Sequence, residues 1–103
     1  MKSHYRVILS EEAISDIISI GRWIAEEAGR EISHAYVGRV HAACLKLGDF
    51  PRRGRPREDL ARGVRTFPFE GRVIIAYRVD AEEVSILRVI SGARDMERLF
   101  EEE

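Results

Sequence analysis

Arginine is the residue of this chain with the clearest capacity for chemistry. Lysine occurs only at Lys2 and Lys46, so arginine supplies 15 of the 17 basic residues. Seven arginines against three acids fall between residues 52 and 72, namely Arg52, Arg53, Arg55, Arg57, Arg62, Arg65 and Arg72. The guanidinium group is well shaped to hold phosphate or carboxylate oxygens. The segment therefore suits an anionic partner or charge stabilisation of a phosphate.

The arginines divide into two groups by their surroundings in the sequence. For most of those between residues 52 and 62, solvated charge and exposed carboxylate pairs are the simplest interpretation. Others lie on or beside apolar runs, at Arg65, Arg72, Arg78, Arg88 and Arg94. Arg78 and Arg88 interrupt such runs, so each needs a carboxylate, a carbonyl oxygen or a partner. Asp16 or Asp95 is a candidate internal partner, and contact with a target is the alternative.

His41 and Cys44 lie three residues apart on a predicted helix, a spacing that raises the question of a metal site or an activated thiol. Two ligands are too few for a structural zinc site, and no other cysteine occurs in the chain. Cys44 falls on an apolar stripe, which favours a buried thiol. We predict no metal site, no cofactor and no internal disulfide, as is usual in a reducing compartment.

Length and charge limit the class of protein. A chain of 103 residues forms one domain, residues 1–103, with a single substantial core. Its formal net charge of −1 gives none of the global positive field that a general nucleic-acid binder carries. No apolar run approaches the roughly 20 residues that span a bilayer, and no signal-peptide pattern opens the chain. We expect a soluble cytoplasmic protein.

Two apolar runs near the C-terminus predict a β-hairpin. Residues 72–79 and 84–91 are rich in valine and isoleucine, and the polar residues 80–83 between them suit a short loop. Strict alternation places Val84, Ile86, Arg88 and Ile90 on one face of the second strand. Both faces of the hairpin are largely apolar, so both need cover.

The upstream residues predict a strand and two helices. Residues 5–9 form a short strand, and Ser10 is a suitable N-cap for a helix ending near Gly29. Its expected apolar stripe contains Ile14, Ile17, Ile18, Gly21, Ile24, Ala25 and Ala28, with Ile20 and Trp23 beside it. A second helix is predicted from about Glu31 to Leu47.

The remaining residues complete the predicted fold. Residues 52–63 are punctuated by proline and glycine and predict a loop, and a further strand follows at 64–67. A small helix is expected from about Asp95. The order indicates an α+β fold, with an N-terminal strand, an antiparallel helical hairpin packed on a small antiparallel sheet, and a short C-terminal helix.

Several colinear motifs resemble a known family. They are Ser10-Glu11-x-Ala13-x-x-Asp16-Ile17-x-x-Ile20-x-x-Trp23-Ile24, Ala35-Tyr36, Leu47-x-x-Phe50-Pro51-x-x-Gly54, Gly63-Val64-Arg65, residues 74–79 (IIAYRV) and residues 86–95 (ILRVISGARD). Together they resemble the ParE branch of the RelE/ParE toxins of bacterial type II toxin–antitoxin systems. The resemblance implies the same α+β fold and a small toxin that a co-expressed antitoxin keeps inactive.

The resemblance leaves two activities to compare. ParE-like toxins act on DNA gyrase, whereas RelE-like relatives cut messenger RNA on the ribosome with lysines, arginines and a C-terminal tyrosine. Carried over by position, Arg72 and Arg94 match the arginines, but the tyrosine position falls on Phe100 and no lysine follows Lys46. We therefore predict inhibition of gyrase by binding, with no catalytic residue. The alternative is a ribosome-dependent endoribonuclease that relies on Arg65, Arg72 and Arg94, and a third possibility is a binding module that has lost toxicity.

The resemblance also suggests two binding surfaces. The predicted target-binding residues are Arg65, Arg72, Arg88, Arg94 and Phe100. The predicted antitoxin-binding residues are Ile20, Trp23, Ile24, Tyr36 and Val40, which would form an apolar groove for a helix. The expected occupant is the acidic tail of a ParD-like antitoxin, disordered alone and folded on contact, in a hetero-oligomer with the toxin.

Overall fold

The computed structural model describes residues 4–91 and 93–101, with the backbone alone at residues 93 and 94. Within these ranges the elements in chain order are β1 (Arg6–Leu9), α1 (Glu11–Ala28), α2 (Arg30–Lys46), β2 (Arg55–Pro56), β3 (Val64–Phe69), β4 (Val73–Val79), β5 (Glu83–Ser91) and α3 (Ala93–Glu101). The predicted α+β order is confirmed. The short strand β2 lies in the segment that the sequence predicted as a loop.

The strands form one sheet with the order β1-β5-β4-β3-β2. The neighbours from β2 to β5 are antiparallel, as predicted. β1 differs, because it pairs with β5 in parallel, with Arg6 opposite Glu83 and Leu9 opposite Ile86. The N-terminal strand therefore forms a parallel edge on an otherwise antiparallel sheet.

Helices α1 and α2 cover one face of the sheet and enclose the main core. Ser10 begins α1 as predicted, since its Oγ accepts a hydrogen bond from the backbone N–H of Ala13 at 2.9 Å. The same Oγ donates to the backbone carbonyl of Leu87 at 2.8 Å, which attaches the start of α1 to β5. The buried residues of this core are Ala13, Ile17, Tyr36, Val40, Cys44, Leu47, Val73, Ile75, Tyr77, Val84, Ile86 and Val89.

The apolar stripe predicted for α1 was wrong in part. Ile14 and Ile18 are 47% and 54% exposed, whereas Ala13 and Ile17 are buried. Ile20 and Ile24 pack against the same core. The sequence could not set the rotation of α1 about its axis, because attachments to β5 through Ser10 and Asp16 determine it.

A β-bulge changes the alternation predicted for β5. Tyr77 of β4 is opposite Ile86, but its neighbour Ala76 is opposite Arg88, so Leu87 is an extra residue in β5. Val89 is consequently buried with Val84 and Ile86 in the main core. The expected placement of Arg88 in line with Ile86 was therefore wrong.

The other face of the sheet carries a smaller core beneath α3. Met96 of α3 is 1% exposed and packs with Val64 and Ala76, which are fully buried. Phe100 packs at the margin of this cluster. Both faces of the sheet are therefore covered, as the apolar hairpin required. None of the helices within the described ranges combines the length and apolar character that a bilayer crossing requires.

Candidate functional site

An apolar groove opens where the helical hairpin meets the start of β4. Two depressions of about 390 and 590 Å³ make up this groove. Both are lined by Trp23, Ile24, Tyr36 and Arg72, so they share one wall. Ile20 lines the first of them. We call this surface the hairpin groove.

Trp23 gives the hairpin groove an exposed aromatic wall. The side chain is 55% exposed although tryptophan is among the residues that gain most from burial. Ile32 lines the same groove from α2 and is 58% exposed. Contiguous exposed apolar side chains of this kind are typical of a surface that a partner covers.

Tyr36 forms the floor of the hairpin groove and has an unusual hydroxyl group. The residue is 8% exposed, and its ring packs edge-on against Phe69 with centroids 5.9 Å apart. Of the buried side-chain polar atoms that the structure describes, the Tyr36 Oη is the one without a hydrogen-bond partner. Burial raises the pKa of this hydroxyl; Glu70 adds to the effect, while Arg72 and Arg39 oppose it. An unpaired buried hydroxyl costs about 1–3 kcal/mol, which favours a site that a partner completes.

An ion pair borders the hairpin groove on its α2 side. Arg39 donates to both carboxylate oxygens of Glu70, at 2.8 and 3.1 Å, and these bonds lower the pKa of Glu70. Arg39 and Glu70 also line a third depression of about 650 Å³, between α2 and β3, which contains Leu45, Phe67 and Phe69. This depression was not among the sites predicted from the sequence. The feature of the sequence that could have indicated this depression is the pair of phenylalanines at residues 67 and 69, which share one face of β3.

The structure brings together four of the five residues predicted to bind an antitoxin. Ile20, Trp23, Ile24 and Tyr36 all line the hairpin groove. Val40 does not, and this part of the prediction needs correction. It is 1% exposed and lies in the main core, because it faces the sheet one turn beyond Tyr36. Val40 supports the fold and is not available for direct contact.

The prediction that Arg88 binds the target also needs correction, because the side chain pairs with an internal carboxylate. Its Nε and Nη2 donate to the two oxygens of Asp16 at 2.9 and 2.8 Å. The backbone N–H of Val89, which follows the bulge, donates to the same carboxylate at 2.9 Å. Asp16 therefore attaches α1 to β5, and we call this set of hydrogen bonds the clasp. Asp16 was one of the two internal partners considered for Arg88 from the sequence. Because Asp16 pairs with it, Arg88 is not available for direct contact with a target in the way that an unpaired exposed arginine would be.

Arg65 fixes the loop that follows α2. Its Nη1 donates to the backbone carbonyl of Gly54 at 2.7 Å and to that of Arg52 at 3.3 Å. Tyr77 holds the same loop, because its hydroxyl accepts from the N–H of Gly54 at 2.7 Å and donates to the carbonyl of Pro51 at 2.9 Å. A Cβ at Gly54 would collide with the Tyr77 hydroxyl, which explains the glycine. The loop is thus held in one position.

Replacing Tyr77 with phenylalanine tests this anchor. We expect Tyr77→Phe to lower the free energy of unfolding by about 2 kcal/mol, because the buried N–H of Gly54 loses its acceptor. Urea denaturation followed by circular dichroism measures the change. Tyr5→Phe is the matched control, expected to stay within about 0.5 kcal/mol of the parent protein. Equal effects of the two substitutions would contradict the anchor.

The remaining residues of the predicted target set lie far apart. Arg72 is exposed beside the hairpin groove, and Phe100 is partly buried on the opposite face of the sheet. Arg65 is paired with Tyr77, four residues along β4 from Val73, which is roughly 13 Å at the usual rise of a strand, and Arg72 precedes Val73 in the turn. Arg94 belongs to α3, but its side chain lies outside the described part of the structure. The described residues therefore do not form a single cluster.

Cys44 and His41 do not form a site together. Cys44 is fully buried, as predicted, and His41 is exposed. Burial raises the pKa of the Cys44 thiol to about 11. Among the described side chains, no three His, Cys, Asp or Glu residues are grouped so that they could hold a metal ion.

The raised pKa of Cys44 predicts an inert thiol. At about pH 8 only roughly one thiol in a thousand is ionised, so iodoacetamide should modify the native protein far more slowly than the urea-unfolded chain. Because the folded pKa is raised, the stability that burial of the neutral thiol provides is present below the ordinary pKa and is lost as the pH rises through about 11. Cys44 is the only cysteine, so the mass shift on alkylation reports on it alone. Equal rates in the native and unfolded states would contradict the burial.

Comparison with known proteins gives consistent matches over most of the chain. A family model described as the ParE toxin of type II toxin–antitoxin systems, parDE, matches residues 7–96. Toxin ParE3 of Caulobacter vibrioides is 33% identical over 91 residues, which cover 88% of this chain and 90% of that protein.

Two solved structures share the fold. A chain of the chromosomal ParDE toxin–antitoxin system from P. aeruginosa superposes with a TM-score of 0.76 at 22% identity, and the match covers 87% of this chain and 98% of that chain. A chain of the toxin–antitoxin complex RelBE2 from Mycobacterium tuberculosis superposes with a TM-score of 0.65 at 24% identity, covering 90% and 97%. At these identities the likeness concerns the fold alone.

Proposed function

Since the chain belongs to the ParE toxins of type II toxin–antitoxin systems, we propose that it inhibits DNA gyrase by binding it. In this proposal a cognate ParD-like antitoxin neutralises the toxin by occupying the hairpin groove. The toxin supplies no catalytic residue and needs no cofactor. Contact with gyrase involves the sheet and α3, through Arg65, Arg72, Arg94 and Phe100.

The separation of the arginines is the main observation that supports action by binding and not by catalysis. Cleavage of RNA needs an acid, a base and cations gathered around one phosphate. Arg65 lies roughly 13 Å along the sheet from Val73, the residue that follows Arg72, and backbone carbonyls engage Arg65. The ionisable hydroxyl nearest to Arg65 along the paired strands belongs to Tyr77, which bonds to Gly54 and Pro51. This arrangement favours contact over catalysis.

The hairpin groove supports an antitoxin helix as the neutralising partner. Apolar side chains at helical spacing would cover Ile20, Trp23 and Ile24, and a central aromatic anchor is typical of such interfaces. Arg72 stands at the same wall, where an acidic side chain of the partner would pair with it. A polar atom brought in by the partner would also complete the hydrogen bonding of the Tyr36 hydroxyl.

Expression of the toxin without its antitoxin tests this function in cells. We expect plasmids extracted after induction to lose negative supercoiling, while messages on translating ribosomes stay intact. Co-expression of the antitoxin should restore the supercoiling. Site-specific cleavage of messages with normal plasmid topology would overturn the proposal in favour of a RelE-like endoribonuclease.

A further inference from the structure

Arginines from the loop and from the strands gather at one corner of the sheet. Arg55 on β2 is opposite Thr66 of β3, and Arg65, which precedes Thr66, is opposite Tyr77 of β4. Arg78 on β4 is opposite Val64. Opposite residues share a face of the sheet, so Arg55 and Arg78 lie on the face that carries Val64 and Ala76, beneath α3. Arg65 lies on the other face, with Tyr77. With the adjoining loop residues they flank the β2 edge of the sheet from both of its faces. We call this set the cationic corner, Arg52, Arg53, Arg55, Arg62, Arg65 and Arg78.

Contacts to backbone carbonyls bring the loop arginines against those of the strands. Arg65 bonds to the carbonyl of Arg52, and the Nε of Arg78 donates to the carbonyl of Arg62 at 2.8 Å. The guanidinium of Arg53 lies over the ring of Phe67, 5.1 Å from its centroid. From the sequence, the loop arginines are expected to be solvated charge. The fold instead brings them next to the arginines of the strands.

Most of the charge of the cationic corner is not neutralised from within. In the part of the chain that the structure describes, none of its arginines forms an ion pair, whereas Arg6, Arg39, Arg57 and Arg88 do. Of the nearby carboxylates, Asp59 accepts two bonds from Arg57 and is also close enough for its charge to interact with Arg55, while Glu58 accepts from the N–H of Gly63. A chain with a net charge of −1 thus carries a dense local excess of positive charge.

Two arginines of the corner and the loop beside them are also held in position before any ligand binds. Tyr77 anchors the loop at Gly54 and Pro51, and Arg65 and Arg78 each spend one or two N–H groups on carbonyls. A guanidinium group has five N–H donors, so most remain for an external acceptor. Fixed donors lose less entropy on binding than mobile side chains do.

We infer that the cationic corner binds the phosphodiester backbone of duplex DNA. Duplex DNA presents one negative charge per about 1.7 Å of its axis, a density that suits several closely spaced arginines. Guanidinium groups hold phosphate oxygens in pairs. We place the contact at the phosphate oxygens and not at the base edges, so binding should be independent of base sequence. This inference goes beyond the inhibition of gyrase and stands or falls separately.

The salt dependence of binding tests the inference on the complete chain without gyrase. Fluorescence anisotropy with a short labelled DNA duplex gives the affinity at each salt concentration. If each of the six arginines contacts one phosphate, the affinity should fall on the order of 10³-fold between about 50 and 200 mM salt. Arg55→Gln/Arg62→Gln should reduce that fall to about 10²-fold, since four contacts remain. Neither replaced side chain has a hydrogen bond or ion pair within the described residues, so the variant should retain the thermal midpoint of the parent protein.

A matched control removes the same charge elsewhere. Arg22→Gln/Arg30→Gln, on the helical hairpin, should keep the salt dependence of the parent protein. The inference is overturned if the duplex does not bind at low salt, or if the control variant loses as much as the corner variant. Stronger competition by polyglutamate than by unlabelled duplex of equal charge would assign the corner to an acidic protein and would also overturn it. Failure of gyrase inhibition leaves this measurement unaffected.

Discussion

Asp16→Ala is expected to lower the free energy of unfolding by about 3 kcal/mol, the cost of breaking one partner out of a largely buried ion pair. The Asp16 side chain is 15% exposed and that of Arg88 is 26% exposed. Without the carboxylate, Arg88 loses both of its bonds to Asp16, and the N–H of Val89 loses its acceptor. For a domain of this size the thermal midpoint should fall by roughly 15 °C. Thermal and urea unfolding followed by circular dichroism measure both quantities.

Controls separate the clasp from a general effect on α1. Glu26 is exposed on the same helix, and Glu26→Ala should change stability by less than about 0.5 kcal/mol. In the double variant Asp16→Ala/Arg88→Met, no unpaired buried charge remains, so the loss should be smaller than the sum of the single losses by about 1 kcal/mol or more. If Asp16→Ala unfolds at the same denaturant concentration as Glu26→Ala, the clasp does not determine stability.

Trp23→Ala is expected to weaken binding of the antitoxin by about 30-fold or more, the effect of losing a central aromatic anchor worth about 2 kcal/mol. The free toxin should lose little stability, because Trp23 is already 55% exposed. Isothermal titration calorimetry with the purified antitoxin measures the dissociation constant.

Ile18→Ala is the matched control for the hairpin groove. Ile18 is 54% exposed on the same helix and does not line either depression of the groove. Its replacement should leave the dissociation constant within about threefold of the parent value, a change of less than 1 kcal/mol. Equal weakening by the two substitutions would show that the antitoxin uses the outer face of α1 and not the groove.

The elements that depend on local sequence were predictable. The N-cap at Ser10, the break at Gly29 and the apolar runs of β4 and β5 specify their elements without help from distant residues. The parallel pairing of β1 with β5 was not predictable, because it joins residues more than seventy positions apart. The attachment of α1 to β5 through Asp16 was not predictable for the same reason, because it also joins residues more than seventy positions apart. Its three hydrogen bonds set the rotation of the helix and favour the bulge, and no local pattern reveals them.

The candidate site was predictable where it depends on exposed apolar residues. Ile20 and Trp23 exceed what the helix needs for packing on one sheet, and this excess correctly indicated a groove. Val40 was assigned wrongly because helical periodicity does not distinguish the residue that lines a groove from the one beneath it. The arginines were the hardest to assign, since Arg65 and Arg78 bond to backbone carbonyls, which carry no signal in the sequence.

A titration against purified gyrase tests most directly whether this toxin acts by occupying its target and performs no chemistry. Supercoiling of relaxed plasmid should fall in proportion to added toxin, reach completion near equimolar toxin and gyrase, and return when antitoxin is added. Supercoiling that persists in excess toxin, together with cleavage of ribosome-bound messages by trace amounts of toxin, would contradict the account.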